Sequence, residues 1–236
     1  CIQQTSQLLT FQELRKKKVY SVKNLKELTV PADSVYVLVT TGNLSTAIGK
    51  YNQVQDLTWL NYHGKPQKTM PAEIGRLQNL QYLNIEGDLT SLPSTFTKLN
   101  NLATFRLLSP YLEKLPEDIG KLSSLHDFMF VASSVRTLPT SFYDLKLDTL
   151  MLLNHQIDRT DALSHLGRIS TLQALYLSLD RSVDREAVFK GLSQLPRLRF
   201  LAVRGASWLT LPTSFAHLDA LHTLHLITHP RFKMEQ

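Results

Sequence analysis

The sequence is poor in the residues and motifs that would point to catalysis, cross-linking or membrane insertion. Cys1 is the only cysteine among 236 residues, so neither a disulfide nor a multi-cysteine metal site can form within one chain. No G-x-S-x-G, H-E-x-x-H or glycine-rich phosphate-binding motif occurs, and we therefore expect no catalytic residue, no cofactor and no metal. No apolar run approaches the roughly 18 residues that a membrane span requires.

The rest of the chain has the composition of an ordinary folded domain. Hydrophobic residues make up 43% of the chain and charged residues 19%, a balance that argues against disorder. The length is enough for one well-buried domain, or at most two. The net charge of +6 is mildly basic. The one dense basic block, RKKK at residues 15–18, has solvated surface charge as its simplest interpretation.

A repeated pattern organises most of the chain. Residues 70–85, 92–107, 115–130 and 211–226 share the spacing L-P-x-x-[IF]-x-x-L-x-x-L-x-x-L-x-L, with other apolar residues at some leucine positions. Weaker copies occupy residues 34–43, 51–62, 138–152, 163–177 and 189–203. Each copy predicts a tight helical turn that leads into a strand, because apolar residues first recur every three residues and then every two. The predicted strand residues of the core, about 23 positions apart, are Val37, Leu60, Leu83, Phe105, Phe128, Leu150, Leu175, Leu201 and Leu224.

This pattern resembles the leucine-rich-repeat family, in the class that carries an L-P-x-x-I segment. The resemblance covers residues 34–229 and implies eight to nine repeats of an α/β solenoid. In that fold a curved right-handed superhelix carries a parallel β-sheet on its concave face and short helices or 3-10 turns on its convex face. Elementary packing agrees, since one such unit cannot bury its own leucines and must stack on its neighbours.

The two ends of the chain do not fit the repeat. Residues 1–33 are interpreted as an N-terminal segment and cap, in which residues 8–20 form a short amphipathic helix over the open end of the leucine column. Residues 230–236 are a C-terminal tail for which the sequence suggests no clear cap. The asparagine that the family places after each strand is mostly missing, and residues 179–189 form a charged insertion.

Alternate side chains of the predicted strands should point to the concave face. Two groups stand out there. Aromatic residues form a predicted ladder near the N-terminal end, at Tyr36, Trp59 and Tyr82. An apolar block, flanked by Arg106 and Tyr176, occupies the middle at Leu108, Met129, Val131, Met151 and Leu153. Exposed apolar patches that contain methionine are typical of interaction surfaces. The alternative is that a loop or a terminal segment covers the block or the ladder.

We therefore expect a non-enzymatic module that binds a protein or peptide on its concave face. Nucleic acid is not expected, because Arg106 and Arg204 are balanced on that face by Glu86 and Asp127. One alternative is the recognition domain of a secreted bacterial effector or larger enzyme. Another is self-association through the C-terminal end, and the sequence leaves the oligomeric state open.

Cys1 carries a separate expectation. A chain that starts at cysteine and continues with the polar residues IQQTSQ resembles a mature bacterial lipoprotein. The resemblance implies lipid attachment at Cys1 and localisation at the bacterial cell envelope, on the outer membrane or in the periplasm. The basic residues 15–18 would add attraction to anionic headgroups. The alternative is that Cys1 is an arbitrary starting point.

Overall fold

A single parallel sheet runs through the molecule. The computed structural model describes residues 8–61, 67–131, 134–153, 157, 160–180, 182–205 and 211–228. Within them ten strands pair in sequence order, each with the one before it. They are β1 (Val19–Val22), β2 (Val37–Thr40), β3 (Asp56–Asn61), β4 (Tyr82–Gly87), β5 (Thr104–Leu108), β6 (Asp127–Val131), β7 (Thr149–Leu153), β8 (Ala174–Leu179), β9 (Phe200–Gly205) and β10 (Thr223–Thr228).

Short helices connect the strands and form the second layer. Most are single turns of 3-10 helix, and successive ones pack side by side. The sheet and this layer enclose one continuous hydrophobic core. The helices are α1 (Phe11–Leu14), α2 (Thr160–Ser164) and α3 (Arg185–Leu192), with 3-10 turns at Leu25–Glu27, Ala32–Ser34, Thr46–Lys50, Ala72–Arg76, Ser94–Lys98, Ile119–Lys121, Thr140–Asp144, His165–Arg168 and Thr213–His217.

In four of the repeats a proline lies directly before the 3-10 turn. Pro71 precedes the turn Ala72–Arg76 with φ −64°, an angle that its ring imposes. Its carbonyl accepts the N–H of Ile74 at 3.1 Å, and this turn directs the Ile74 side chain into the core. Pro93, Pro139 and Pro212 hold the same position. These prolines therefore lie directly before the helical turn.

Phenylalanine side chains form the centre of the core. Phe105 stacks on Phe128 with ring centroids 5.2 Å apart and planes 9° apart. Phe96 lies 4.9 Å from Phe105, and Phe142 lies 6.1 Å from Phe128. All four rings are fully buried. This stack joins β5 and β6 to the 3-10 layer at the middle of the solenoid.

The first 33 residues extend the sheet and do not simply cover its end. Strand β1 pairs with β2, and Val19 is the register partner of Val37. Helix α1 is short and begins with a capping box, in which Thr10 and Glu13 bond each other's backbone N–H. Just before it, the Leu9 N–H donates to Gln55 and the Leu9 carbonyl accepts from Gln81, both at 2.8 Å. The predicted helix over the open end is therefore wrong in position, because this segment crosses the starts of β3 and β4.

The charged insertion at residues 179–189 contains the start of α3. Asp184 caps this helix by accepting the N–H of Ala187, and the buried Val188 and Phe189 join the core. Glu186 accepts hydrogen bonds from Thr213 and Ser214 of the next repeat. These bonds, led by the one from the Thr213 side chain, hold the pKa of Glu186 below its usual range.

Candidate functional site

The register of β3 differs from the one predicted, and this removes Trp59 from the candidate site. Trp59 pairs with Ile85 of β4, and Leu57 pairs with Leu83. The Trp59 side chain is 0% exposed, and its indole N–H donates to the Gly42 carbonyl at 2.8 Å. Leu60, which was predicted to be core, takes the outward position instead. The predicted aromatic ladder is therefore wrong.

The error has a simple cause. Apolar residues recur every three positions before each strand, so Tyr51, Val54 and Leu57 match the pattern as well as Val54, Leu57 and Leu60 do. A slip of three positions preserves this period but reverses every side chain of a strand, whose period is two. The correct signal was the match of VQDL at residues 54–57 to LQYL at residues 80–83.

A slip of one position likewise affects β2. Leu38 pairs with Leu57 in the core row, whereas Val37 faces outward beside Asp56. Tyr36 therefore precedes the strand, where its carbonyl accepts the N–H groups of Gln55 and Asp56. The Lys17 ammonium lies over its ring, 4.6 Å from the centroid. Tyr36 does not belong to the outward rows of the sheet.

The remaining predicted site residues do lie on the outward face, which we call the open face. Leu108, Val131 and Leu153 are register partners on β5, β6 and β7. A second row crosses the same strands and continues to β8, and it contains Arg106, Met129, Met151 and Tyr176. The five residues of the apolar block are half-buried, and Arg106 is exposed. The structure thus brings the block together as one surface, while its role in binding stays a prediction.

A hollow of about 780 Å³ occupies this face. Its lining extends from β3 to β7 and combines the two methionines of the block with polar residues of the earlier strands. The side chains that face it include Asp56, Thr58, Tyr82, Asn84, Thr104, Arg106, Asp127, Met129, Thr149 and Met151. The open face is therefore concave here. Its lining is acidic and aromatic on the β3–β4 side and apolar around Met129 and Met151 of β6 and β7, where Asp127 and Thr149 add polar groups.

Two carboxylates line the hollow, Asp56 on β3 and Asp127 on β6. Asp56 and Asp127 lie in the same row as Tyr82, on either side of it. Burial raises the pKa of Asp56. Burial also raises the pKa of Tyr82, with further contributions from the negative charges of Asp56 and Asp127. Asp56 and Tyr82 therefore make the β3–β4 side of the hollow acidic and aromatic, while Arg106 of β5 brings a positive charge into the same hollow.

Phe11 of α1 forms one wall of the hollow. Its ring lies 5.2 Å from that of Tyr82 at an angle of 51°. Although it packs on Tyr82, the Phe11 side chain is still 50% exposed. The sequence had suggested that the N-terminal segment could lie over the aromatic ladder, and at Tyr82 this segment does so.

A second aromatic group lies at the other end of the open face. Tyr176 and Phe200 have ring centroids 4.9 Å apart, and the His225 ring meets Phe200 edge-on at 5.2 Å. Only Tyr176 had been placed in the candidate site. The cluster was recognisable from the outward rows, in which Phe200 and His225 occupy neighbouring strands.

Three other expectations concern chemistry and membranes. Across the described ranges, no group of three or more His, Cys, Asp or Glu residues is arranged to hold a metal ion. In the same ranges no helix is both long and apolar enough to cross a membrane. Cys1, the predicted lipid-attachment site, lies outside the described residues, as does the C-terminal tail.

Comparison with known proteins finds similarity at the level of structure. No protein-family model matches the sequence, and no curated protein matches it either. A leucine-rich-repeat protein from Leptospira interrogans superposes with a TM-score of 0.56 at 23% identity, over 91% of this chain and 72% of that one. An internalin from Listeria monocytogenes gives a TM-score of 0.61 at 18% identity, over 84% of this chain but only 56% of that one. Internalin C2 of the same species gives 0.58 at 18% identity, over 83% and 82%.

These likenesses and the ten-stranded parallel sheet define the class. The chain is a leucine-rich-repeat solenoid, and the fold predicted from the L-P-x-x-I pattern is confirmed. At these levels of identity the comparison establishes the fold, while function has to be argued from the open face.

Proposed function

We propose that this chain is a non-enzymatic module that binds a protein or peptide segment in the hollow of its open face. The observation that carries the proposal is the half-buried apolar surface around Met129 and Met151, which lines a hollow of about 780 Å³. Apolar surface in a concave site is where binding energy concentrates. Methionine side chains suit this role because they adapt their shape to a partner.

Charge placed in the apolar part should abolish binding without unfolding the protein. We expect Met129→Asp and Met151→Asp each to weaken binding by about a hundredfold or more, because a carboxylate would be desolvated against apolar partner groups. Peptides would first be selected on the wild-type protein from a display library of random sequences. Their dissociation constants would then be measured by calorimetry against each variant.

A matched control is Ser123→Asp, which adds the same charge at an exposed position in the turn after Ile119–Lys121. This variant should bind as the wild type does. Circular dichroism and thermal unfolding would show that all three variants are folded. Full affinity in both methionine variants would show that the selected peptides bind elsewhere, and the proposal would be wrong.

We further propose that a lipid on Cys1 holds the module at a bacterial envelope membrane. Support comes from the N-terminal sequence and from Arg15, Lys16, Lys17 and Lys18, whose side chains are all exposed and carry charge toward solvent. Mass spectrometry of the N-terminal peptide from the native protein should find Cys1 with added acyl mass. An unmodified Cys1 in that peptide would contradict the anchor and leave the binding proposal intact.

A further inference from the structure

We propose that the hollow selects segments in which a basic side chain precedes or follows an apolar one by about four or five residues. The basic side chain would lie between Phe11, Tyr82 and the carboxylate of Asp56, while the apolar one would contact Met129 and Met151. This inference rests on the proposed function and specifies the chemistry of the partner.

The Asp56 carboxylate on the acidic side of the hollow is expected to bind a cation. The Asp56 carboxylate forms no hydrogen bond or ion pair with any described residue. Its pKa is raised by burial alone, so it bears the cost of desolvation without a compensating positive charge. A lysine or arginine from a partner would supply that charge. Asp127 lies three strands from Asp56 in the same row, about 14 Å away, and would add a longer-range attraction.

The two aromatic rings favour the same ligand chemistry. Phe11 and Tyr82 lie together at the acidic end of the hollow. A cation over an aromatic face is attracted by the negative charge of the ring face, and arginine also stacks on it. The Arg15 guanidinium already lies over the Phe11 ring, 5.8 Å from its centroid, and half of the Phe11 side chain remains exposed for a further contact. The Asp56 carboxylate beside two aromatic rings therefore forms a receptor for a basic side chain.

The spacing follows from the sheet. Tyr82 lies on β4, and Met129 and Met151 lie one row further along on β6 and β7. With neighbouring strands about 4.8 Å apart and about 3.3 Å per residue along a strand, the distance is about 12–16 Å, which equals four or five residues of extended chain. Arg106 of β5 lies between the two ends. It should disfavour a second basic residue in the middle of the segment and should accept a carboxylate there.

The experiment is a comparison of selected sequences. Random twelve-residue peptides would be selected on wild-type protein, on the double variant Asp56→Asn with Asp127→Asn, and on the control Glu117→Gln with Asp118→Asn. The control removes two exposed carboxylates beside the turn Ile119–Lys121. Wild type and control should enrich peptides with the basic and apolar residues at the proposed spacing. The Asp56/Asp127 variant should lose the basic preference and keep the apolar one.

The affinities of the enriched peptides should follow the same pattern as the selected sequences. Binding to the Asp56/Asp127 variant should fall by about tenfold or more, because charged partners are lost from a partly desolvated site, whereas the control should stay within about twofold. Met129→Asp and Met151→Asp should each abolish binding of the enriched peptides. Thermal unfolding of each variant would confirm that the substituted proteins are folded.

The possible failures are distinguishable. Peptides that depend on Met129 and Met151 but show no basic preference would overturn this inference and leave the proposed function standing. A basic preference that survives in the Asp56/Asp127 variant would do the same. If the selection yields no peptide whose binding depends on the open face, both this inference and the proposed function are overturned. If light scattering shows that the wild type is a dimer and that Met129→Asp is a monomer, the occupant of the hollow is a second copy of the chain. That result would also refute the inference.

Discussion

Replacing Phe128 by alanine is expected to lower the free energy of unfolding by about 3–5 kcal/mol, among the largest effects we expect at a core position. Phe128 is 1% exposed and lies between Phe105, Phe130 and Phe142. Its removal leaves a cavity among rings that are fixed by their own repeats and cannot close the gap. Urea denaturation followed by circular dichroism measures the change.

The position of Phe128 makes a second result expected. In a solenoid each repeat is stabilised mainly by its two neighbours, and β6 lies at the middle of the ten strands. A cavity there weakens the coupling between the N-terminal and C-terminal halves. Hydrogen exchange of Phe128→Ala should therefore show the two halves opening separately, whereas the wild type opens with more coupling across β6.

The conservative variant Phe128→Leu provides the control. It keeps most of the volume and should cost less than about 1.5 kcal/mol. Neither variant alters Met129 or Val131, which point to the other face of the same strand. If Phe128→Ala cost less than about 1 kcal/mol, a fully buried position for this ring would be contradicted.

The sequence predicted the later part of the fold well because its repeats are regular there. From β4 to β10 the predicted core residues form one row of register partners, Leu83, Phe105, Phe128, Leu150, Leu175, Leu201 and Leu224. In most of these repeats a proline marks the start of the unit and fixes the alignment of the helical turn and strand after it. The apolar block was located correctly for the same reason.

The register of β3 was harder to predict because that proline is missing. The repeat that contains β3 has no proline ahead of its turn Thr46–Lys50, where Ser45 takes the place. Leu38 and Leu57 are closer in sequence than Leu57 and Leu83, so an even spacing leads to the wrong residues. With the register of β3 wrong, Asp56 could not be recognised as an outward carboxylate. The acidic end of the hollow was missed as a result.

The long-range contacts of the N-terminal segment could not be predicted from a sequence pattern. The bonds of Leu9 to Gln55 and Gln81 join residues 46 and 72 positions apart. The segment from Leu8 to Lys18 has one short helix and no repeat, so nothing in it specifies where it crosses the sheet. Only the structure shows that Phe11 reaches Tyr82 and forms a wall of the hollow.

Trp59 and Leu60 provide the direct test of the register of β3, because the two registers exchange their roles. In the structure Trp59 is fully buried and bonds Gly42, while Leu60 is half-buried on the open face. We therefore expect Trp59→Ala to cost about 3–5 kcal/mol of unfolding free energy and Leu60→Ala to cost less than about 1 kcal/mol. The register predicted from sequence requires the opposite order. Urea denaturation followed by circular dichroism distinguishes them, and a larger loss at Leu60 than at Trp59 would show that β3 faces the other way. That result would also move Asp56 off the open face and remove the carboxylate of the proposed receptor for a basic side chain, so the stability of these two variants bears directly on the chemistry of the partner.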